Sequence, residues 1–575
     1  MDNQRLGLAL SGGGFRASFF HIGILARMAE LNLLRDVESI STVSGGSIIG
    51  VYYYLHLKNL LESKSDAEIT QQDYLDLVAK VEAGFLKGVQ KNLRTLTFSS
   101  VWHNMKMILP SYSRSDRIGE LYDKHFYRPV AGKSSGECVW VSDLKIYPKG
   151  DENVASFNPT DGHNKTRSNK VPIININASV LNTGHNWHFT AVDMGEVVHD
   201  DALALNIDKN TRLLKGRYKE ICKRNKGGFH LGQAVAASAG VPGIFPPMSI
   251  SDMYNWTVQL VDGGVYDNQG IEALQNGVFP CSHIIISDAS GQMRDEHEPE
   301  TGTIPVFMRT TDVLMGRVRE EMIASVVNDD NYIVSFMHLN DDLDVQKKSP
   351  RDKNCPTQSD PEAKKDVPGK LSRIRTDLDS FTDVEATCLM ARGYTLAQTH
   401  VDDINSKWAA GSTTNTEGNW FFNRAITWLT HPEQGPKTLG KQLDVAENKI
   451  GKVLRLGLSI DFLLSMSAFI IVTGIYIALI YYVAEVKLEL LSKLMDYLKN
   501  TSLLDGLCAL LIILLFYALE KFGKVFKLFK VLRSPYRFIV GFFIRIVLPG
   551  LAALPVKVYL MTLDKFYVRQ GRLSN

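Results

Sequence analysis

Apolar and polar positions follow two different periods along this chain, and the changes of period mark its elements. Leu6 to Ser11 (LGLALS) and Ile40 to Thr42 are short apolar runs, and between them Phe15, Phe19, Ile22, Leu25 and Ala29 recur at helical spacing over Phe15 to Leu34. Strand, helix and strand are predicted in that order. From Val51 to about Arg128 the helical spacing continues (Tyr52, Leu55, then Tyr74, Leu77, Val78, Val81, Phe85) with few glycines, which predicts a helical insertion. Gly150 to Asn169 is polar and reads as a surface loop. Pro172 to Leu181 (PIININASVL) alternates like a buried strand and turns at Asn182-Thr183-Gly184 towards Trp187 to Thr190. Leu231 to Pro247 is a small-residue helix stopped by Gly240, Pro242 and Pro246, followed by a strand, Val258 to Val261, that ends at Asp262-Gly263-Gly264. His283 to Ser290 (HIIISDAS) is a further buried parallel strand, Val313 to Val327 a helix, Asn340 to Lys370 an exposed loop and Arg373 to His400 a closing helix. Strands alternating with helices predict an α/β fold.

The last fifth of the chain differs in kind. Phe462 to Ala484 is 23 residues without a charge, enough at ~1.5 Å per residue to cross a bilayer core of ~30 Å. Leu503 to Leu519, shorter and with Asp505 near its start, is either a second span or a half-buried helix, and the flanking charges favour a second span. Lys437, Lys441, Lys449, Lys452 and Arg455 precede the first span and Lys521, Lys524, Lys527, Lys530, Arg533 and Arg537 follow the second, while Lys487, Lys493 and Lys499 are the cations between. The positive-inside rule then places both ends in the cytoplasm. The Lys521 to Arg533 series suits a collar at anionic lipid headgroups, and Phe538 to Leu563 an interfacial or re-entrant segment. The expected organisation is a folded domain over 1–405 with its helical insertion at about 51–128, a linker and juxtamembrane helix over 406–456, and a membrane region over 457–575. On that division a chain ending near Pro436 is expected to stand alone.

Composition narrows the partners. A net charge of +2 over 575 residues carries no nucleic-acid footprint. Six scattered cysteines without C-x-x-C spacing, and an N-terminus lacking signal-peptide regions, suggest a reducing cytoplasm and no structural zinc. Nothing in the sequence indicates an oligomeric state.

Chemistry is concentrated at three strand ends. Ser44, directly after the second strand, reads as a nucleophile elbow, with Gly45 and Gly46 leaving the tight turn room; Thr42 stands where G-x-S-x-G has its first glycine, and Ser47 is a rival hydroxyl. Gly12, Gly13 and Gly14 expose amides at a helix N-terminus, where negative charge is held. Gly12-x-Gly14-x-x-Ala17 also fits a dinucleotide fingerprint, but Asp36 and Glu38 precede the second strand, whose end carries Ser44, so this reading ranks lower. A phosphate loop lacks its Gly-Lys-Ser/Thr. Asp262 is an acid at a strand end with Gly263 and Gly264 keeping its surroundings open, and reads either as a site residue or as a turn-forming Asp-Gly.

SGGGFR, TVSGG and DGG in this order, with NASVLNTG and AASAGVPGIFPP between, resemble the patatin-like phospholipase family over roughly Leu6 to His400. The resemblance implies a mainly parallel sheet flanked by helices, here followed by a helical transmembrane region. It also implies Ser44 as nucleophile, Asp262 as its general base, Gly12 to Gly14 as oxyanion hole, and cleavage of lipid acyl esters without a catalytic histidine or a cofactor. The chemistry asks for such parts independently: a hydroxyl needs a base, and a tetrahedral oxyanion needs preorganised donors. Arg16 reads equally as support for an oxyanion or lipid phosphate and as partner of a structural carboxylate. His21, His188 and His230 leave a Ser-His-Asp triad open, although Ser44 comes earlier than the elbow of an ordinary α/β hydrolase. No metal is expected, because no ligand cluster accompanies the pair. The expectation is a membrane-anchored serine lipid acyl hydrolase, a phospholipase acting on membrane phospholipid through a covalent acyl-enzyme. The alternatives are a catalytically silent membrane scaffold, which the Thr42 departure keeps open, a neutral-lipid lipase or a lysophospholipase.

Overall fold

A computed structural model describes residues 4–107, 109, 111–151, 157–160, 162–197, 210–221, 228–253, 256–277, 280–291, 298–341, 366–408, 416–447, 452–456, 460–499 and 548–573. The chain divides into two compact units, one of Met1–Arg94, Arg114–Leu456 and Tyr567–Asn575, the other of Thr95–Ser113 and Gly457–Phe566. Residues 416–447 and 452–456, expected as linker and juxtamembrane helix, therefore belong to the first unit. Trp420 and Phe422 are buried there. The Gly418 amide and Trp420 Nε1 donate to Glu30, and the Phe421 and Phe422 amides donate to Glu82. A chain ending near Pro436 would lose part of this unit.

The sheet of the first unit has strands β1 (Leu6–Leu10), β2 (Val37–Val43), β3 (Ile173–Val180), β4 (Asn186–Phe189), β5 (Asp193–Glu196), β6 (Gly216–Arg217), β7 (Met248–Met253), β8 (Trp256–Asp262), β9 (His283–Asp288) and β10 (Ile333–His338). Its order is β10-β9-β1-β2-β3-β4-β5-β6, with β7 paired to β8 and β8 to β3. The five strands from β10 to β3 run parallel, and from β3 onward pairing is antiparallel. Parallel strands covered on both faces read as continuous apolar runs, and β1 and β9 are buried along their whole length. Helices α1 (Gly14–Glu30), α2 (Gly45–Ser63) and α3 (Gln71–Val89) follow β1 and β2. The α/β expectation with a mainly parallel central sheet is met.

Some boundaries move. The helix expected from Val313 begins at Thr303 and runs to Val327, because Pro305 falls in its first turn, where the missing N–H is no loss. The helix expected from Arg373 begins at Asp383, and the residues before it form a loop built on Arg375. The end of the polar stretch 150–169 is not free surface, since Asn164 exchanges hydrogen bonds with Val171 and Asn169 bonds Asp66.

In the second unit a single helix spans Ile460–Lys499. Its Ile460–Ala478 stretch is long and apolar enough to cross a membrane and is only 6% buried. Phe462 packs against Phe566 with ring centroids 5.9 Å apart. Leu503 to Leu519 and the Lys521 to Arg533 series lie outside the described residues. Within Phe538 to Leu563, Leu548–Tyr559 is a helix containing Pro555.

Candidate active site

The register of β3 brings two strand ends together. Val43, the last residue of β2, pairs with Asn177, and Asp262, the last residue of β8, pairs antiparallel with Ala178. The opposite edge of β3 is taken by β4, which pairs with Asn177 and Ala178 through His188 and Trp187. β2 and β8 therefore meet head to head on one edge of β3, with Ser44 and Asp262 at the joint. A side chain at Gly263 would start 2.5 Å from the Asn177 carbonyl oxygen, and one at Gly264 2.5 Å from Asn268 Oδ1. The joint closes only with glycines there.

Ser44 sits at φ 51°, ψ −116°, a conformation costly for a side-chain-bearing residue. Its amide donates to Ser238 Oγ at 3.0 Å, and Ser238 also accepts the Gly263 amide on its carbonyl, so the end of the helix Leu231–Ser238 braces both halves of the joint. Ser47 is fully buried, donates to Thr42 Oγ1 at 2.9 Å and meets Ser238 Oγ at 2.8 Å; the rival hydroxyl is part of the scaffold. Thr42 fits because the residue across from it is Gly50, where a Cβ would lie 2.6 Å from Thr42 Cγ2. The glycine missing before the serine is thus matched by one after it. Gly45 and Gly46 allow main-chain contact, since a Cβ at either would meet the Gly14 or Leu10 carbonyl oxygen at 2.1 or 2.2 Å.

Burial pushes the Asp262 carboxyl up to about 6, against the opposing pull of the Gly264 amide and the Ser44 hydroxyl. Oδ1 accepts the Gly264 amide at 2.8 Å. Oδ2 is buried and has no aligned donor among the described residues. The Ser44 hydroxyl is close enough to act on the carboxylate without being aligned to it, a geometry common before substrate binds.

The glycine corner adjoins Ser44: a Cβ at Gly12 would lie 3.2 Å from Ser44 Cβ. Its three amides are not equivalent. Gly12 donates to the Asn268 carbonyl at 3.0 Å, so this amide is not available to a ligand. Gly13 (φ 141°) and Gly14 (φ 59°) hold backbone forms that suit glycine, and their amides meet no acceptor among the described residues. They start α1, where the helix dipole adds to their pull on negative charge.

Arg16 is buried, and its terminal nitrogens donate to the carbonyls of Ile374 at 3.0 Å and Ala289 at 2.9 Å. It ties α1 to two loops, and these contacts speak against the oxyanion or phosphate role. The histidines are placed elsewhere. His21 meets Ser287 and Ser11 with its two ring nitrogens, burial pushing it down to about 4; His188 Nε2 meets Glu272; His230 stacks on Trp140. Sequence reasoning passed over Ser238 and Asn268. Ser238 lay within AASAG, where small residues already marked a close approach, whereas the Asn268 carbonyl has no sequence signal at all.

No curated protein matches the sequence. Among solved structures, human GIVD cytosolic phospholipase A2, determined in complex with a methyl gamma-linolenyl fluorophosphonate inhibitor and terbium chloride, aligns at 12% identity and TM-score 0.38, covering 70% of this chain and 59% of that one. VipD from Legionella pneumophila aligns at 9% identity and TM-score 0.21, covering 76% and 93%. The chain thus spans 59% of the length of the human enzyme, and overlaps this weak carry no argument about chemistry. A family model does match: residues 8–274, the stretch from β1 through the acid turn with both strand-to-helix corners, match the patatin-like phospholipase model.

Proposed function

We propose that the protein is a serine lipid acyl hydrolase that cleaves glycerophospholipid acyl esters through a Ser44–Asp262 dyad. The observation that carries this reading is the joint on β3, where a strained Ser44 adjoins a buried carboxylate whose Oδ2 has no aligned donor. Asp262 takes the Ser44 proton as Oγ attacks the ester carbonyl. The oxyanion accepts from the Gly13 and Gly14 amides, each such donor being worth ~10²-fold to 10³-fold in rate. The tetrahedral adduct then expels the lysolipid alkoxide, which takes the proton back from Asp262. Water, deprotonated by the same carboxylate, releases the fatty acid and frees Ser44.

The apolar Ile460–Ala478 helix supports anchoring to a membrane. The lysine flanks support a cytoplasmic site and contacts with anionic headgroups. A fluorophosphonate probe should label wild type and not Ser44→Ala, and lipid mass spectrometry of vesicles incubated with each should show lysolipid and fatty acid with wild type alone. Absence of labelling would favour a silent scaffold. Release of fatty acid from triacylglycerol or lysolipid, with intact diacyl phospholipid, would make it a lipase or lysophospholipase.

A further inference from the structure

The loop between Arg375 and Ser380 carries charges for which the chemistry above has no use, all within the first unit. Arg375 and Asp379 are buried and joined at 2.8 Å. Lys452 is buried too: its Nζ lies 2.7 Å from Asp379 Oδ2, donates to the Ser380 carbonyl at 2.6 Å and stands 4.1 Å over the Tyr567 ring. Arg375 also pairs with Glu385 and donates to the Ala446 carbonyl. Arg94 reaches Asp379 Oδ2 at 3.8 Å from the edge of the cluster, but Arg375 and Lys452 are its buried cations, set against Asp379 and Glu385, and removal of either weakens the compensation of buried charge.

The other side of this loop lies on the glycine corner. The Asp377 carbonyl accepts the Phe15 amide at 3.1 Å. Asp377 main-chain O and N would lie 2.8 and 2.9 Å from a Cβ at Gly14. Arg94 pairs with the Asp377 carboxylate, and its amide donates to the Leu378 carbonyl at 3.0 Å. The Asp377 main chain therefore packs directly on Gly14 and fixes the peptide that follows it.

Resting on the hydrolase reading, we propose that Lys452 is a positioning residue for acyl transfer: through Asp379 and the 375–380 loop it holds the Gly14 amide where the oxyanion forms. Lys452 and Tyr567 lie next to the points where the chain leaves this unit after Leu456 and returns at Tyr567. Without Lys452, Asp379 is left with Arg375, which it shares with Glu385, and with Arg94, which it shares with Asp377, and the loop relaxes away from Gly14. Small displacements of a donor lower rate by as much as ~10²-fold without altering ground-state binding.

The test uses full-length protein in phosphatidylcholine vesicles with a dispersed short-chain ester. Lys452→Met should lower kcat about 10-fold to 100-fold with KM within about twofold, and quicken hydrogen exchange in the peptide spanning residues 11–20. Lys452→Arg, which keeps the cation, should recover most of both. A lowered Tm with kcat unchanged, or a change confined to KM, overturns the proposal. If Lys452→Met does not fold, Tyr567→Leu decides: it keeps the ion pair but loosens the lysine, and an unchanged kcat counts against the brace. If wild type neither turns over ester nor labels at Ser44, the hydrolase reading fails by itself. Exchange in residues 11–20 then judges the brace, and equal exchange in Lys452→Met and wild type overturns it.

Discussion

Asp262 and Asp288 close two strands of the same sheet, β8 and β9, and both are buried. Each accepts on Oδ1 the amide two residues ahead, Gly264 or Ser290, at 2.8 Å. Their local structure is the same, yet burial pushes Asp262 up to about 6. For Asp288 burial also pulls upward, but Arg319 and then His338 outweigh it and hold the carboxyl down to about 2. The difference lies at Oδ2. On Asp288 it meets Arg319 at 3.1 Å and Gln269 Nε2 at 3.1 Å, whereas on Asp262 it has no aligned donor among the described residues. A buried carboxylate with a cation is a strut, and one without is a base in waiting.

The sharpest way to break this contrast is Asp262→Asn. If Asp262 is the base, kcat should fall ~10²-fold to 10⁴-fold. The same variant should be more stable at neutral pH. Because the folded carboxyl is raised from 3.8 to about 6, its ionised form opposes folding, by an amount that grows as pH rises from 3.8 towards 6 and is constant above. At ~1.4 kcal/mol per unit this is at most about 3 kcal/mol. Chemical denaturation at pH 7.5 checks the stability, and a variant that is slow yet no more stable would show that Oδ2 is satisfied in solution.

Arg319→Met should turn the strut into a strained carboxylate. Asp288, lowered from 3.8 to about 2, supplies stability that is fully present above 3.8 and is lost as pH falls towards 2. That linkage corresponds to about 2 kcal/mol, and leaving the carboxylate without its cation raises the loss to about 3 kcal/mol. Denaturant midpoints of wild type and variant should converge as the pH is lowered through 4. A constant gap down to pH 3 would mean that Arg319 stabilises by packing and not by charge.

The pH dependence of turnover tests the other carboxylate. With Asp262 at about 6, kcat/KM should fall about tenfold per pH unit below that value and level off above it. A plateau extending down to pH 4 would remove Asp262 as the base.

Much of this was legible in the residues, and the rest was not for identifiable reasons. Ser44 and Asp262 were proposed together because each ends an apolar run beside glycines. An apolar run reads the same in either direction, however, and only pairing shows that β8 meets β2 head on. Of the five parallel strands, β1, β2, β3 and β9 are legible in their residues, whereas β10, a half-buried edge strand, gives no comparable apolar run. HIIISDAS ends in an acid much as VQLVDGG does, and Arg319, which separates their behaviour, sits 31 residues beyond Asp288 on a helix. The Gly12 amide reads like its two neighbours in the sequence, because a main-chain acceptor such as Asn268 leaves no trace there. The burial of Trp420, Phe422 and Lys452 depends on partners such as Glu30, Glu82 and Asp379, far away in the chain, so the local sequence reads as linker.

The smallest expected effect asks whether the two carboxylates are independent. Gln269 is fully buried between the acid turn and β9; its side chain donates to Asp288 Oδ2, while its neighbour Asn268 holds the Gly12 amide through a carbonyl. Gln269→Met keeps the volume and the main chain and removes one neutral donor from a charged group, which should cost about 1.5 kcal/mol. Arg319 still faces Asp288, so the carboxyl stays ionised and no new titration should appear between pH 4 and 9. The turnover profile should therefore keep its inflection near 6, with kcat within about twofold of wild type, because nothing at Asp262 Oδ2 has changed. A tenfold loss of kcat, or a displaced inflection, would mean that the strut at the end of β9 reaches the acid turn through Gln269 and Asn268. The base would then owe its proton affinity to that network as well as to burial.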